Sequence, residues 1–523
     1  MATEPGNVLV RDATTGYERL AAATAGLSGA LFAVALAALL EIVRITDPVA
    51  GIPMVAVLGG LVTLTGLAVI GFGLASRWDY IATAPQESAG IVAAVAFTGI
   101  WFCGGGLVAS QTLGLSWPLW LVPAVAAGAV AFAGTALPRE DIGSTAPAGA
   151  VAVLVGASLL TGFIGSTWSW PLDGFNATLF ADVVVPFLVM TSALVTGWAA
   201  AKTYGGYGAR GRHVGAYVLI YLVVLAILAV LVGLILFVVL KGAPGLFRGF
   251  GLLTDGALIR WPFLTNGAGL LADVKGIFPA IVGTVWLVVG AVLVAVPTGV
   301  GAAVFLAEYA EEGRFTQVVE VATNGLWSTP SIVFGLFGAA FLIPRFGNQK
   351  SIVAGQLTLG FMLLPLVLIT SREALLAVPD EYRDASAALG VSRWQTIRSV
   401  VLPAAIPGVT TGVILGVGRI AGETAPILLT TGGGVLPGKG RAAAVLGSFQ
   451  LSASPPFVSN PALLDASSAL PYQLFALITA GLGGVPNPEQ FAWGVALTLL
   501  LVVLSFYAIG IATRYYFRSK LHQ

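Results

Sequence analysis

The chain predicts an all-α, polytopic membrane bundle of about twelve transmembrane helices. Three observations predict it. Of 523 residues, 57% are hydrophobic and 9% charged, with mean hydropathy +0.93, whereas a soluble domain carries about 25% charge. No globular core hides that much apolar surface, so the solvent must be lipid. The apolar residues also gather into runs of roughly 20, enough to cross a hydrocarbon layer of ~30 Å. Lys and Arg collect on alternate connections between those runs.

In order, the runs cover 21–43, 52–74, 90–110, 117–135, 147–165, 179–199, 214–240, 277–306, 323–343, 352–371, 405–429 and 490–513. The first is too long and too weakly flanked for a cleaved signal peptide. Arg11, Arg19, Arg77, Arg139, Lys202, Arg210 and Arg212 fall on one set of loops, with Arg44 the exception. The connections 111–116 and 166–178 contain neither Lys nor Arg. That bias puts the N-terminus in the cytoplasm, and an even span count returns Arg514, Arg518 and Lys520 to the same side. Trp117, Trp120, Trp168 and Trp170 suit interfacial anchors at the outer ends. Asn176-Ala177-Thr178 on that face matches a glycosylation acceptor, a triplet that also arises by chance.

The glycine-rich joint 201–213 divides the chain into a membrane module of six helices, 1–205, and a working core of six, 206–523. The first half has no counterpart of the 380–431 segment, which argues against an internal duplication. The role of the 1–205 module is unassigned.

Composition also excludes several chemistries. Net charge is +1, giving no reason to expect a nucleic-acid partner. Cys103 is the single cysteine and reads as a small buried packing residue. His213 and His522 lie in basic polar stretches, so neither a metal centre nor a Ser/His/Asp constellation is expected. Gly433 to Lys439 imitates a phosphate-cradling loop, but Gly440 stands where Ser or Thr should hold magnesium and no strand precedes it.

The informative segment is 380–431. Asp380, Glu381, Arg383, Asp384, Arg393 and Arg398 alternate with Ala385, Ala387, Ala388, Leu389, Trp394 and Ile397. This suits two short helices on the cytoplasmic side, 381–389 and 391–401, broken at Gly390. Leu402-Pro403 is expected to end the second before the next span. The mixed signs fit a protein partner, and an amphipathic loop in the headgroup layer is the plainer alternative. Farther on, Arg419 and Glu423 stand four residues apart on one helix face. Each alone costs about 2.5–3.5 kcal/mol at the bilayer centre. Together they read either as a self-neutralising structural pair or as a site on a polar solute's path. Gly412 with Gly416, and Gly418 with Gly422, form small-xxx-small pairs suited to close helix packing. Pro330 and Pro426 are candidate kinks.

These residues resemble a known family. Asp384-Ala385-Ser386, Gly390 and Val400-Val401-Leu402-Pro403 look like the coupling motif of ABC importer permeases, with aspartate for glutamate, Ser386 for the second alanine and Val400 for isoleucine. Gly418 to Pro426, GRIAGETAP, is similar to permeases of the phosphate-specific transport family of the PstA type. Similarity continues in Pro279 to Thr284, Phe305 to Ala310 and Pro330 to Gly338, within residues 214–523.

The resemblance implies a MetI-like permease fold for the C-terminal six helices and a non-enzymatic subunit of an ATP-driven phosphate importer in the plasma membrane. Its implied partners are a PstC-like sister permease, two PstB-like ATPase subunits and an external PstS-like phosphate-binding protein. ATP and magnesium would bind the ATPase, leaving no cofactor on this chain. Asp384, Ala385, Ser386, Gly390, Trp394, Leu402 and Pro403 would couple to that ATPase, and Arg419, Glu423 and Thr424 would line the substrate pathway. A guanidinium matches phosphate oxygens with two parallel hydrogen bonds. Glu423 would accept from the hydroxyl of a protonated phosphate, which sulfate lacks. The outer loop 431–489 would help receive the binding protein, with Leu470 to Ala480 as a short apolar surface helix. The joint alone also allows an ABC permease for molybdate or an amino acid, and the span count alone a self-contained ion-coupled carrier.

Overall fold

The computed structural model describes residues 15–171, 178–254, 257–267, 276–432, 445–455, 457–480 and 487–521. Asn176, Arg11, His522 and the stretch 433–440 lie outside them. The described residues form two compact units, Met1–Leu234 and Ile235–Gln523. That division and the one read from the glycine joint bracket the first part of a single long helix, α7 (Gly208–Leu246).

The first unit contains α1 (Gly16–Leu39), α2 (Met54–Arg77), α3 (Ile91–Leu107), α4 (Leu121–Ala136), α5 (Glu140–Leu160) and α6 (Ala181–Tyr204) ahead of α7. Its core packs Phe32, Leu36, Leu58, Val62, Val185 and Val189. Glycines let α2 and α5 approach closely: a Cβ at Gly59 would stand 2.9 Å from Leu159 Cβ, and one at Gly66 2.9 Å from Ala152 Cβ. Cys103 is exposed on α3, contrary to the expected buried packing role. The outer side of α3 is apolar throughout, so a small thiol there meets the same surroundings as Val95 or Leu107.

Buried charge in this unit is gathered at one end. Glu140 and Lys202 are fully buried and lie 2.8 Å apart, Oε1 to Nζ. Glu140 Oε2 accepts from the backbone N–H of Gln86 and of Gly208, both at 2.9 Å, and Lys202 Nζ donates to Ser144 Oγ at 2.7 Å. Glu140 opens α5 and Lys202 closes α6, so each charge also complements a helix dipole. Arg139 Nε donates to Asp141 Oδ2 at 3.0 Å, and that bond raises the arginine pKa above its ordinary value. Burial raises the neighbouring Tyr207 phenol above the usual tyrosine range.

The second unit contains α8 (Pro262–Thr265), α9 (Phe278–Val304), α10 (Arg314–Ser328), α11 (Ser331–Phe337), α12 (Ile352–Leu376), α13 (Asp380–Ala388), α14 (Arg393–Thr396), α15 (Leu402–Ala421), α16 (Ala425–Thr430), α17 (Leu470–Ala480) and α18 (Pro488–Leu521). Its core packs Leu287, Val288, Ala291, Leu359, Leu363, Val367, Ile420 and Ile427. Four short antiparallel hairpins complete the described residues.

Among the described residues ten helices are long and apolar enough to span a bilayer, eleven if one bent pair counts as one span. Two of the twelve expected runs account for the difference. Run 117–135 forms the 16-residue α4, about 24 Å long and short of a ~30 Å core. Run 323–343 is not one helix: α10 and the helix starting at Ser331 meet at 102°. Thr329 is extended there (φ −67°, ψ 132°) because the Pro330 ring disfavours helix at the preceding residue. The segment Leu470–Ala480 is helical as expected, but Leu470, Tyr472 and Leu477 are buried, so it packs into the unit and is not a free surface helix.

Candidate functional site

The site is built around two short polar helices and the long helix that leaves them. Asp380 and Glu381 occupy the first turn of α13, where carboxylates meet unpaired N–H groups and the positive end of the dipole. Gly390 then adopts φ +72°, a left-handed turn that a Cβ would strain. Ser392 caps α14 reciprocally: its N–H donates to Gln395 Oε1 at 3.1 Å, and its Oγ accepts from the Gln395 N–H at 3.4 Å.

Beyond Thr396 the chain does not stop at Leu402-Pro403. A π-helical turn, Ile397–Val401, joins α14 to α15, and helix runs from Arg393 to Ala421. Proline cannot donate and its ring crowds the preceding turn, and the wider π turn takes up that mismatch. The expected terminator is therefore a register shift within a continuous rod.

Tyr382, Asp384, Ala385, Leu389 and Trp394 are exposed, Leu389 at 82%. Ser386 is buried and donates to the Tyr382 carbonyl at 2.9 Å. Behind them Arg383 is held on several sides. Its Nη2 donates to Glu308 Oε1 at 2.7 Å and to the Leu375 carbonyl at 3.0 Å. Its Nη1 donates to the Val378 carbonyl at 2.8 Å. Glu308 lies in the π turn Phe305–Tyr309 that ends α9 and is 6% exposed. The bond to Glu308 raises the Arg383 pKa above its ordinary value. The guanidinium of Arg393 sits 5.2 Å from the Tyr309 ring centre. Both short helices thus rest on the same turn of the chain.

At the far end of α15, Arg419 occupies the last helical turn and Glu423 lies beyond it. The expectation that both share one unbroken helix face needs correction. The helix ends at Ala421, with Gly422 as cap, and resumes at α16, where Ala425-Pro426 forms the first turn. Gly422 is a poor helix former at the cap of α15, and Pro426 suits the first turn of α16, where its missing N–H would have had no partner anyway, so the break falls between them. Arg419 Nε and Glu423 Oε1 are still 4.0 Å apart. The Arg419 guanidinium lies 4.3 Å from the centre of the Trp327 ring on α10. A cation at a helix C-terminus, over an aromatic face, needs no full neutralisation by Glu423. Arg419 is 33% exposed, leaving its donors within reach of a solute. Thr424 is half-buried in the break.

The glycines of α15 meet different neighbours. A Cβ at Gly412 would strike Thr370 and one at Gly416 would strike Leu363, both on α12. One at Gly418 would strike the Tyr507 ring on α18, while Gly422 faces open space.

Three residues of this site escaped sequence reasoning: Glu308, Trp327 and Arg372. Glu308 lies 75 positions from its partner, so only contact reveals it. Trp327 belongs to a helix whose polar residues Gln317, Glu320, Asn324 and Ser328 recur at i, i+3, i+7 and i+11. That periodic stripe was the available signal. On it, Glu320 Oε1 accepts from Arg372 Nη1 of α12 at 3.3 Å.

Residues 295–454, from α9 past the Glu423 break, match the family described as binding-protein-dependent transport system inner membrane component. Fold and match together define an ABC transporter permease subunit, a multi-pass membrane protein. The chain is 35% identical over 188 residues, 36% of its length and 64% of the relative's, to the probable ABC transporter permease protein YqgI of Bacillus subtilis (strain 168). It is 35% identical over 245 residues, 46% of its length and 71% of the relative's, to the phosphate transport system permease protein PstA of Mycobacterium leprae (strain TN). A solved structure of the MetNI methionine ABC transporter in an inward-facing conformation overlaps 46% of this chain and 94% of its own at 17% identity and TM-score 0.34. The chain belongs to the PstA-type family of phosphate transport permeases.

Proposed function

We propose that this chain forms half of the translocation pathway of an ATP-driven importer of inorganic phosphate, beside a sister permease of the PstC type. Two ATPase subunits of the PstB type supply ATP and magnesium chemistry, so the chain itself needs no cofactor. An external binding protein of the PstS type delivers the anion. The importer sits in the plasma membrane with both termini of this chain in the cytoplasm. Residues 206–523 form the permease domain, and 1–205 add a membrane module of separate role.

The observation that carries this reading is Arg419, a partly exposed guanidinium at a helix end, stacked over Trp327 and only loosely paired with Glu423. Phosphate oxygens fit its parallel donors, and Glu423 accepts from the hydroxyl that protonated phosphate retains. At the other end of the same rod exposed Trp394, with exposed Tyr382 and Leu389 of the adjoining α13 segment beside Asp384 and Ala385, offers the ATPase an apolar grip ringed by charge. ATP-driven closure moves α13 and α14, and the continuous helix carries that motion to Arg419.

The test is radiolabelled phosphate uptake by cells that lack their own importer and express this chain with its partners. Phosphate uptake that fails without ATP and survives collapse of ion gradients is expected. Uptake of molybdate or an amino acid instead, or dependence on an ion gradient, would overturn the proposal.

A further inference from the structure

Arg372 lies three residues before the last residue of α12 but one, with only Ala377, Val378 and Pro379 between Leu376 and the start of α13. Its guanidinium is unevenly used. Nη1 meets Glu320 Oε1 at a long 3.3 Å, across a carboxylate that is 57% exposed. Nε is buried and has no hydrogen-bond partner among the described residues. Nε and Nη2 form the edge of an arginine that presents two parallel donors, the arrangement that suits a tetrahedral oxyanion. A buried donor without an acceptor is costly in any interior, and more so beside a membrane.

Position adds a second argument. Glu320 and Trp327 are seven residues apart on α10, two turns or about 10.5 Å along one face. One arginine therefore meets that face at each position: Arg419 over Trp327, and Arg372 on Glu320, nearer the 380–401 joint. Gln317, Asn324 and Ser328 continue the same polar stripe between and beyond them.

We infer that Arg372 is a second oxyanion station, occupied after Arg419, from which Glu320 displaces the anion. This rests on the reading of Arg419 as the first phosphate-attracting group. A shift of Arg372 against α10 uncovers the Nε and Nη2 edge, which takes the anion while Glu320 keeps or yields Nη1. Phosphate and the Glu320 carboxylate repel each other, so tightening of the Glu320 contact expels the anion. Because α12 runs almost directly into α13, a displacement of α13 shifts Arg372 against α10 and sets when that contact tightens.

The experiment uses the assembled importer in proteoliposomes, with labelled inorganic phosphate for both uptake and equilibrium binding. Arg372→Gln should lower the maximal uptake rate about tenfold or more, with half-saturation within about twofold of wild type, since the outer group still captures the anion. Arg372→Lys, which keeps the charge and loses the paired donors, should fall between. Glu320→Gln should tighten phosphate binding about tenfold and slow uptake, and Glu320→Gln/Arg372→Gln should cancel that tightening. Co-purification of the ATPase and its hydrolysis rate check assembly, and a purely structural Arg372 would not give the binding gain. Wild-type uptake by Arg372→Gln, or a gain that persists in the double variant, overturns the inner station alone. If the wild-type importer binds no phosphate, this inference and the proposed function both fall.

Discussion

Arg383 Nη2 and Glu308 Oε1 stand 2.7 Å apart, and this contact ties α13 to the turn that ends α9. The carboxylate is almost fully buried and the guanidinium also grips the Leu375 and Val378 carbonyls. A push on α13 therefore reaches α9 without passing through α15.

Breaking that tie should uncouple the two ends of the unit. A hydrogen bond to a charged group contributes about 1.5–3 kcal/mol. Glu308→Gln and Arg383→Gln are expected to cut phosphate uptake about tenfold or more while ATPase binding survives, and their double variant should be no worse than the harsher single. Additive losses would show that the residues act separately.

The same contact should be indifferent to ordinary pH. Glu308 raises the Arg383 pKa, so the arginine's contribution is complete below its unfolded value and is lost only as pH climbs through a still higher folded one. The extra defect of Arg383→Gln relative to wild type should stay level between about pH 6 and 9. A defect that vanishes toward pH 9 would contradict it.

Gly390 holds a left-handed backbone with nothing near the place of a Cβ. Gly390→Ala should therefore cost about 1–2 kcal/mol through the backbone alone, and Gly390→Asn less, because asparagine tolerates that conformation. Thermal unfolding of the purified chain and the amount of ATPase recovered with it provide the check.

Trp327 tests how Arg419 is held. Replacing the ring by leucine removes a cation–π contact of about 0.5–2 kcal/mol. Arg419 should then close on Glu423, and uptake should fall several-fold in Trp327→Leu but recover in part with Trp327→Phe. Phosphate uptake unaffected by either would separate Trp327 from the pathway. Arg419→Lys and Glu423→Gln are the companion variants: unchanged uptake in both would leave that pair a structural role only.

In the first unit, Lys202→Met should destabilise by about 3–5 kcal/mol, because Glu140 is left charged in a dry site. Glu140→Gln/Lys202→Met should recover part of that loss, since the amide oxygen still accepts from Gln86 and Gly208. Denaturation in detergent, followed by tryptophan fluorescence, reads the difference; a double variant worse than Lys202→Met would contradict it.

The membrane spans were legible because lipid imposes one rule on every residue of a run. The joint at 380–401 was legible for a local reason: Gly390 breaks the chain between two helix-forming stretches, and the Ser392/Gln395 cap that the structure adds also lies close in sequence. Arg419 and Glu423 were recognisable as charges out of place, but the break between them was not, because Gly422 and Pro426 are both tolerated inside membrane helices. Pro330 was legible as a kink, but not as a 102° bend, because the apolar run 323–343 continues through it. The Glu308–Arg383 and Glu320–Arg372 pairs were invisible, since each joins residues separated by more than fifty positions.

The uninterrupted helix from Arg393 to Ala421 has 29 residues, about 43 Å of rise. A stiff member of that length converts a tilt of about 5° at one end into a swing of about 4 Å at the other. Such a swing exceeds the length of a hydrogen bond, so a displacement at Trp394 too small to unfold anything is enough to make or break a contact at Arg419.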